Sequence, residues 1–155
     1  MAPVTYTAAE ARQQLLDTLG YAVELLAGAI ASLTEAYEQL DEHNADVLET
    51  RLFRPLQAAY GRAQRAHTAF AERAGMPARS FQAATAPAPS LGARRLIDDA
   101  VTGARDADGR LAALQDSMLP VEVGDEELRA DLVQVRRLLD GIGTYARELE
   151  RTLGR

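Results

Sequence analysis

The feature that most constrains the fold is the spacing of apolar residues along four stretches of the chain. In each stretch they recur at alternating steps of three and four, which places them on one face of an α-helix. The first series is Leu15, Leu19, Ala22, Leu26, Ala29, Leu33, Ala36 or Tyr37, and Leu40. Four such helices with a near-heptad repeat are typical of a bundle. The sequence therefore predicts an all-α, four-helix bundle that forms a single domain over residues 1–155.

Capping and helix-breaking residues give the ends of these predicted helices. Thr7 and Glu10 form a capping box at the start of the first. Asn44 is the predicted N-cap of the second helix and Gly124 that of the fourth, whereas Pro120 ends the third. The predicted helices cover residues 7–42, 45–74, 91–119 and 125–153.

Pro55 lies inside the second predicted helix. Proline lacks an amide hydrogen and its ring crowds the carbonyl of Arg51, which costs about 3 kcal/mol unless the helix bends. The sequence therefore predicts a kink at Pro55 in a helix that starts near Ala45. The alternative is that the first helix runs on toward Arg54 and that the second starts at Pro55.

Residues 76–89, MPARSFQAATAPAP, form the one long linker, and Phe81 is its predicted anchor on the bundle. We expect simple up-and-down order. The alternative is a long crossover between helices 2 and 3, because fourteen extended residues at about 3.1 Å each could follow a whole helix.

Composition excludes several kinds of chemistry. The chain has no cysteine, so disulfides, thiolate nucleophiles and thiolate metal sites are excluded. All 17 basic residues are arginine, which removes Schiff-base and P-loop lysine chemistry. The net charge of −6 argues against nonspecific nucleic-acid binding.

The N-terminal sequence MAPVTYTAAEARQQ has no basic run followed by an apolar run, so it does not resemble a secretory signal. The most apolar stretch, residues 19–33, is interrupted by Glu24 and is shorter than the about 20 residues that span a bilayer. We expect a cytoplasmic protein that does not bind a membrane.

Carboxylate-bridged metals in bundles are bound by a Glu-x-x-His pattern, which neither histidine fits. The residue three positions before His43 is Leu40, and the residue three positions before His67 is Gln64. Glu35 and Glu38 have a spacing that could hold magnesium, but both point away from the apolar stripe. The sequence therefore predicts no metal, no cofactor and no catalytic residue.

The stretch RLFRPLQAAYGRAQRAH, residues 51–67, supplies the candidate residues for a ligand or a partner. They are Arg51, Arg54, Tyr60, Arg62, Arg65 and His67. The structural interpretation is that the arginines lie outside and pair with the acidic first helix of this chain or of a symmetry mate. In that interpretation His67 is a hydrogen-bonded residue of the core or its rim. The functional interpretation is a site for a small anion or an acidic protein, since arginine binds phosphate and carboxylate bidentately.

These observations favour a non-enzymatic interaction or scaffold protein. The alternative is a small-ligand or anion-binding bundle that uses Tyr60, His67 and the helix-2 arginines, in a pocket opened by a kink at Pro55.

The sequence also predicts a homodimer through helix 1. Residues 19–33 are apolar over more than the one face that a bundle needs to bury. Gly20, Ala27, Gly28 and Ala31 are small enough for close backbone approach, and an exposed apolar surface favours a symmetric partner. The competing explanation is that the linker with Phe81 covers this face within one chain.

Overall fold

The computed structural model describes residues 7–153, and this part of the chain is all-helical with no strand. The α-helices are α1 (Ala8–Glu38), α2 (Glu42–Leu48), α3 (Arg54–Arg73), α4 (Ala93–Asp116), α5 (Leu119–Glu122), α6 (Glu126–Leu139) and α7 (Ile142–Leu153). A π-helical turn, Glu49–Phe53, joins α2 to α3, and a 3₁₀ turn, Pro89–Leu91, precedes α4. The outermost residues of the predicted domain, 1–6 and 154–155, lie outside the described residues.

Helix α1 begins where the sequence predicts and supplies much of the core. The Thr7 hydroxyl accepts a hydrogen bond from the Glu10 amide at 3.1 Å, which is one half of the predicted capping box. The predicted stripe of α1 is buried: Leu15, Leu19, Ala22, Leu26, Ala29 and Leu33. Aliphatic burial of this kind is the main stabilising term in an all-helical chain without disulfides.

Helix α1 packs most extensively against α4, and the two helices are antiparallel. A Cβ atom added to Gly103 of α4 would lie 3.4 Å from the carbonyl oxygen of Leu25, so the backbones approach closely there. Further along α4, the Arg110 guanidinium lies 4.2 Å from the centre of the Tyr21 ring. Residue numbers rise along α4 as they fall along α1, which fixes the antiparallel direction.

The second predicted helix starts earlier than expected. Asp41 occupies the N-cap position of α2, and the Asn44 side-chain amide donates to its carboxylate at 2.6 Å, so the prediction of Asn44 as the N-cap is wrong. Helical structure then runs from Glu42 through the π-helical turn to Arg73. Neither Ala45 nor Pro55 is therefore its first residue.

The π turn ends at Phe53, just before Pro55, and a π turn is one of the helix defects that accommodate a proline.

The linker follows α1 lengthwise. Arg79 pairs with Glu24 in the middle of α1, and the Gln39 side-chain amide at its end donates to the Pro89 carbonyl at 2.8 Å. Phe81 packs against His67, which confirms it as the anchor.

The predicted up-and-down order is wrong. Because the linker crosses the length of the molecule, α4 starts beside the C-terminal end of α1, and α3 and α4 both run antiparallel to α1. The long crossover, given as the alternative, describes this path. Along this path the linker lies over small residues of α1, among them Gly20, Ala27 and Ala31.

The fourth predicted helix is interrupted. Helix α6 ends at Leu139 and α7 begins at Ile142, with Gly141 at φ +85° between them. The N-cap of α6 is Asp125, whose carboxylate accepts from the Leu128 amide at 2.8 Å, so the prediction of Gly124 is wrong. Helix α6 runs antiparallel to α3, since Arg73 pairs with Asp125 and Arg62 with Asp131.

The third predicted helix ends before Pro120, because α4 stops at Asp116. Met118 is 49% exposed and has a left-handed backbone at φ +67°. The chain reverses at Met118, and Pro120 is buried at the start of α5 instead.

By length and composition alone, α1 is apolar enough to cross a membrane. Half of its most apolar window is buried inside the structure. A core helix of a soluble protein passes the same test, so this finding is weak evidence for a membrane span.

Candidate functional site

His67 lies on the face of α3 that meets α1 and the linker. It is 3% exposed, and its ring packs edge-on against Phe81 with 5.0 Å between the ring centres. Its Nδ1 atom is buried and has no hydrogen-bond partner among the described residues. Burial lowers the pKa of His67, against smaller opposing effects of the Leu16 backbone and the Asp17 charge. The ring is therefore neutral at pH 7.

The linker closes this region from outside. The Arg79 guanidinium pairs with Glu24 and lies 4.7 Å from the centre of the Phe81 ring. A Cβ atom on Gly20 would lie 2.9 Å from Arg79 Nη1 and 3.5 Å from His67 Nε2. The small size of Gly20 thus makes room for this chain's own linker and histidine.

Tyr60 lines an apolar cavity of about 260 Å³ between α1 and the linker. Its other walls include Ala27, Ile30 and Ala31 of α1 and Ala84 of the linker. The cavity contains few polar groups, so it would suit an apolar ligand better than an anion.

The helix-2 arginines do not join Tyr60 and His67 in one site. Arg62 pairs with Asp131 of α6 at 3.2 Å, and the Arg51 guanidinium lies 4.9 Å from the centre of the Tyr145 ring of α7. The five residues from Arg62 to His67 turn α3 by about 140°, so these two side chains face different neighbours. Arg62 does not pair with helix 1 of its own chain, because the carboxylate that it meets belongs to α6.

Arg54 and Arg65 are exposed. The Arg65 guanidinium lies beside Gly61 of its own helix, 3.0 Å from where a Cβ atom on that glycine would stand. Both arginines remain accessible to solvent, and neither forms an ion pair within residues 7–153.

A second cavity, of about 510 Å³, lies between α4, α6 and α7 at the break between the last two helices, and we call it the α4–α7 cleft. Its charged lining residues are Arg105, Asp108, Arg136, Arg137, Asp140 and Arg147. Sequence reasoning missed this cleft. The signal that could have indicated it is GIG, residues 141–143, which places two glycines within the apolar stripe of the fourth predicted helix.

One arginine of the cleft is fixed by neighbours. Arg136 Nε donates to Asp108 at 2.9 Å and Arg136 Nη1 donates to Gln115 at 2.9 Å. The hydrogen bond to Asp108 raises the pKa of Arg136, against the effect of its burial. Arg136 and Asp108 therefore neutralise each other at one wall.

The other three arginines, Arg105, Arg137 and Arg147, form no ion pair within residues 7–153. The Arg105 guanidinium lies against Gly143 in the first turn of α7, where an added Cβ atom would stand 2.5 Å from its Nη2. The positive end of a helix dipole disfavours a cation at that position.

A carboxyl pair lies along the same two helices. The pKa of Glu150 on α7 is raised to about 7, first by burial and then by the hydrogen bond and charge of Asp98 on α4, while Arg94 opposes the shift. One carboxyl of the pair therefore retains its proton below about pH 7.

No cluster of three or more His, Asp or Glu side chains that could hold a metal ion occurs in residues 7–153. Comparisons of the chain with protein-family models, with curated proteins and with solved structures found no match.

Proposed function

We propose that this chain is a non-enzymatic, cytoplasmic interaction or scaffold protein of the four-helix-bundle class. In this interpretation α2 and α3 form one rod across the π turn, and α6 and α7 form another across Gly141. Support comes from the interior. Among the described residues it is filled by aliphatic side chains and Phe70, and His67 is the one buried polar residue.

The observation that carries the proposal is an exposed apolar corner formed by Met118 and Val121, which we call the α5 corner. Met118 is 49% exposed and Val121 57% exposed. The left-handed backbone of Met118 costs roughly 1–2 kcal/mol for a residue with a side chain. About half of each side chain remains exposed in the described fold, whereas a protein partner would bury both. Methionine adapts readily to different partner surfaces.

The test is site-specific photo-crosslinking in a lysate of the source cells. We place p-benzoylphenylalanine at Val121 in one variant and at Glu148, which is exposed on α7, in a matched control. The proposal expects a discrete adduct from position 121 that is absent from position 148. Identical adducts from both positions, or none from position 121, would contradict it.

The homodimer through helix 1 is a separate proposal. It is supported by Tyr21 and Tyr37 of α1, which are 42% and 39% exposed. The small residues of α1 support a dimer less than the sequence indicates. The linker lies over Gly20 and contributes to a cavity lined by Ala27 and Ala31, so this surface is partly covered within one chain. A crosslinked adduct of twice the chain mass would identify a second copy as the partner of the α5 corner.

A further inference from the structure

We propose that the α4–α7 cleft binds a polyphosphate group, either as an inorganic ion or as part of a small organic molecule. This site is independent of the α5 corner and uses none of the arginines that the sequence singles out. The charges of the cleft, its volume and the position of Arg105 support a polyphosphate ligand.

The charges in the cleft are unbalanced. Its four arginines exceed its two carboxylates, Asp108 and Asp140, by two positive charges, whereas the whole chain has a net charge of −6. Asp108 already holds Arg136, so Asp140 is the one other carboxylate in a lining that contains three further guanidinium groups. Like charges gathered around one cavity repel, and a bound anion with two or more negative charges removes that repulsion.

The chemistry of the donors favours phosphate. Guanidinium groups present paired N–H donors that match two oxygens of a phosphate, and they remain charged at any physiological pH. Thr144 adds a hydroxyl donor to the same lining. Guanidinium groups on different helices can donate to several phosphate oxygens at once. A single carboxylate ligand has too few oxygens to accept from all of them.

The volume indicates that the ligand is larger than one phosphate ion. A cavity of about 510 Å³ falls in the range of small-molecule sites. Val133, which is 40% exposed, and Ile142 line it beside the arginines. An organic group attached to the polyphosphate could pack against these apolar side chains.

Arg105 gives the most specific support. It lies against the first turn of α7, where the helix dipole disfavours a cation, and the absence of a side chain at Gly143 makes its position available. An anion bound between Arg105 and Arg147 would neutralise the positive charge of both guanidinium groups. The position of Arg105 beside the positive end of α7 is therefore unfavourable in the free protein but favourable when an anion is bound.

The test is calorimetric titration of the full chain with sodium pyrophosphate and, separately, with ATP. We expect one site per chain for pyrophosphate, with affinity that falls as salt is added. Tighter binding of ATP would assign the organic molecule as the source of the polyphosphate, and equal or weaker binding of ATP would assign the inorganic ion. No binding of either probe at low salt would overturn the proposal.

Two double variants distinguish binding in the cleft from nonspecific electrostatic attraction of the anion to the chain. Arg105→Gln with Arg147→Gln removes two guanidinium groups from the cleft and is expected to weaken binding by at least about tenfold. Arg54→Gln with Arg65→Gln makes the same change of charge on exposed positions of α3. We expect this control to bind within about twofold of the native chain. Equal losses in the two variants would refute a site in the cleft.

Gly143→Ala tests the position of Arg105 without changing any charge. The new Cβ atom would stand 2.5 Å from Arg105 Nη2, and this flexible side-chain end can move without unfolding the helix. We expect weaker pyrophosphate binding with an unchanged or raised Tm, because alanine favours a helix over glycine. Unchanged affinity would show that Arg105 is not a ligand.

Discussion

The surroundings of two titratable side chains, His67 and Glu150, shift the pKa of each in the direction that favours its neutral form. Burial between α1 and the linker lowers the pKa of His67, and burial beside Asp98 raises that of Glu150. The first group limits stability in acid and the second limits it in base. Their contributions to the free energy of unfolding therefore change in opposite directions as the pH rises.

His67 predicts a loss of stability in acid. Its pKa is lowered in the folded chain, so its contribution is complete above the unfolded value of 6.5 and is lost as the pH falls below it. We expect His67→Leu to reduce the decrease in unfolding free energy between about pH 7 and about pH 5, measured by urea denaturation. His43→Gln, at an exposed histidine, is the control and should leave that decrease unchanged. An undiminished decrease in His67→Leu would contradict the assignment.

Glu150 predicts the opposite dependence. Its folded pKa of about 7 lies above the model value of 4.5, so stability is fully present below 4.5 and declines as the pH rises through about 7. Glu150→Gln keeps a hydrogen-bonding side chain without the charge. We expect it to raise the Tm at about pH 8 and to change it little at about pH 5. Glu148→Gln, at an exposed position of the same helix, should not show this difference between the two pH values.

At the scale of elements, the informative features are the places where a long helix is interrupted. The π turn before Pro55, the reversal at Met118 and the break at Gly141 each alter a helix that apolar spacing predicts to be continuous or longer. The break at Gly141 has the clearest consequence, because it opens the α4–α7 cleft.

The break depends on glycine at position 141. Its φ of +85° is unfavourable for any residue with a Cβ atom, and an added Cβ would stand 3.4 Å from the Tyr145 ring. We expect Gly141→Ala to lower the free energy of unfolding by about 1–2 kcal/mol in urea denaturation. Gly28→Ala is the control, because that glycine is helical and a Cβ there would meet nothing within 4 Å. It should stabilise the chain by up to about 1 kcal/mol. Equal effects of the two substitutions would contradict a strained turn at Gly141.

At the scale of the whole molecule, the linker determines how the helices are ordered. It lies along α1, so α3 and α4 run in the same direction and the cavity beside Tyr60 is closed by the chain itself. This arrangement also bears on self-association, because it occupies a surface on which the predicted dimer depends.

The homodimer proposal makes a prediction about mass. If α1 joins two chains, light scattering on the full chain at tens of micromolar reports twice the mass of 16.8 kDa. We expect Tyr37→Glu to reduce the dimer fraction, because Tyr37 is an exposed apolar residue of α1 and a buried unpaired charge is costly at an interface. Val133→Glu, at an exposed residue of α6, is the control. A single-chain mass for the native protein would exclude the dimer.

The sequence by itself determined the helical class, the start of α1 and most of its buried face. It also placed His67 in the core and Phe81 as the anchor of the linker. These features follow from local periodicity and capping, which depend on residues within a few positions of each other.

The tertiary structure alone decided the order of the helices, the partners of the arginines and the α4–α7 cleft. The cleft requires Arg105 of α4 to meet Gly143 of α7, and Arg62 meets Asp131 only because α3 and α6 are neighbours. Such pairs are distant in the sequence, and no local pattern specifies which charged faces will meet. Their positions result from how the apolar faces pack and from the path of the linker, which are properties of the assembled chain.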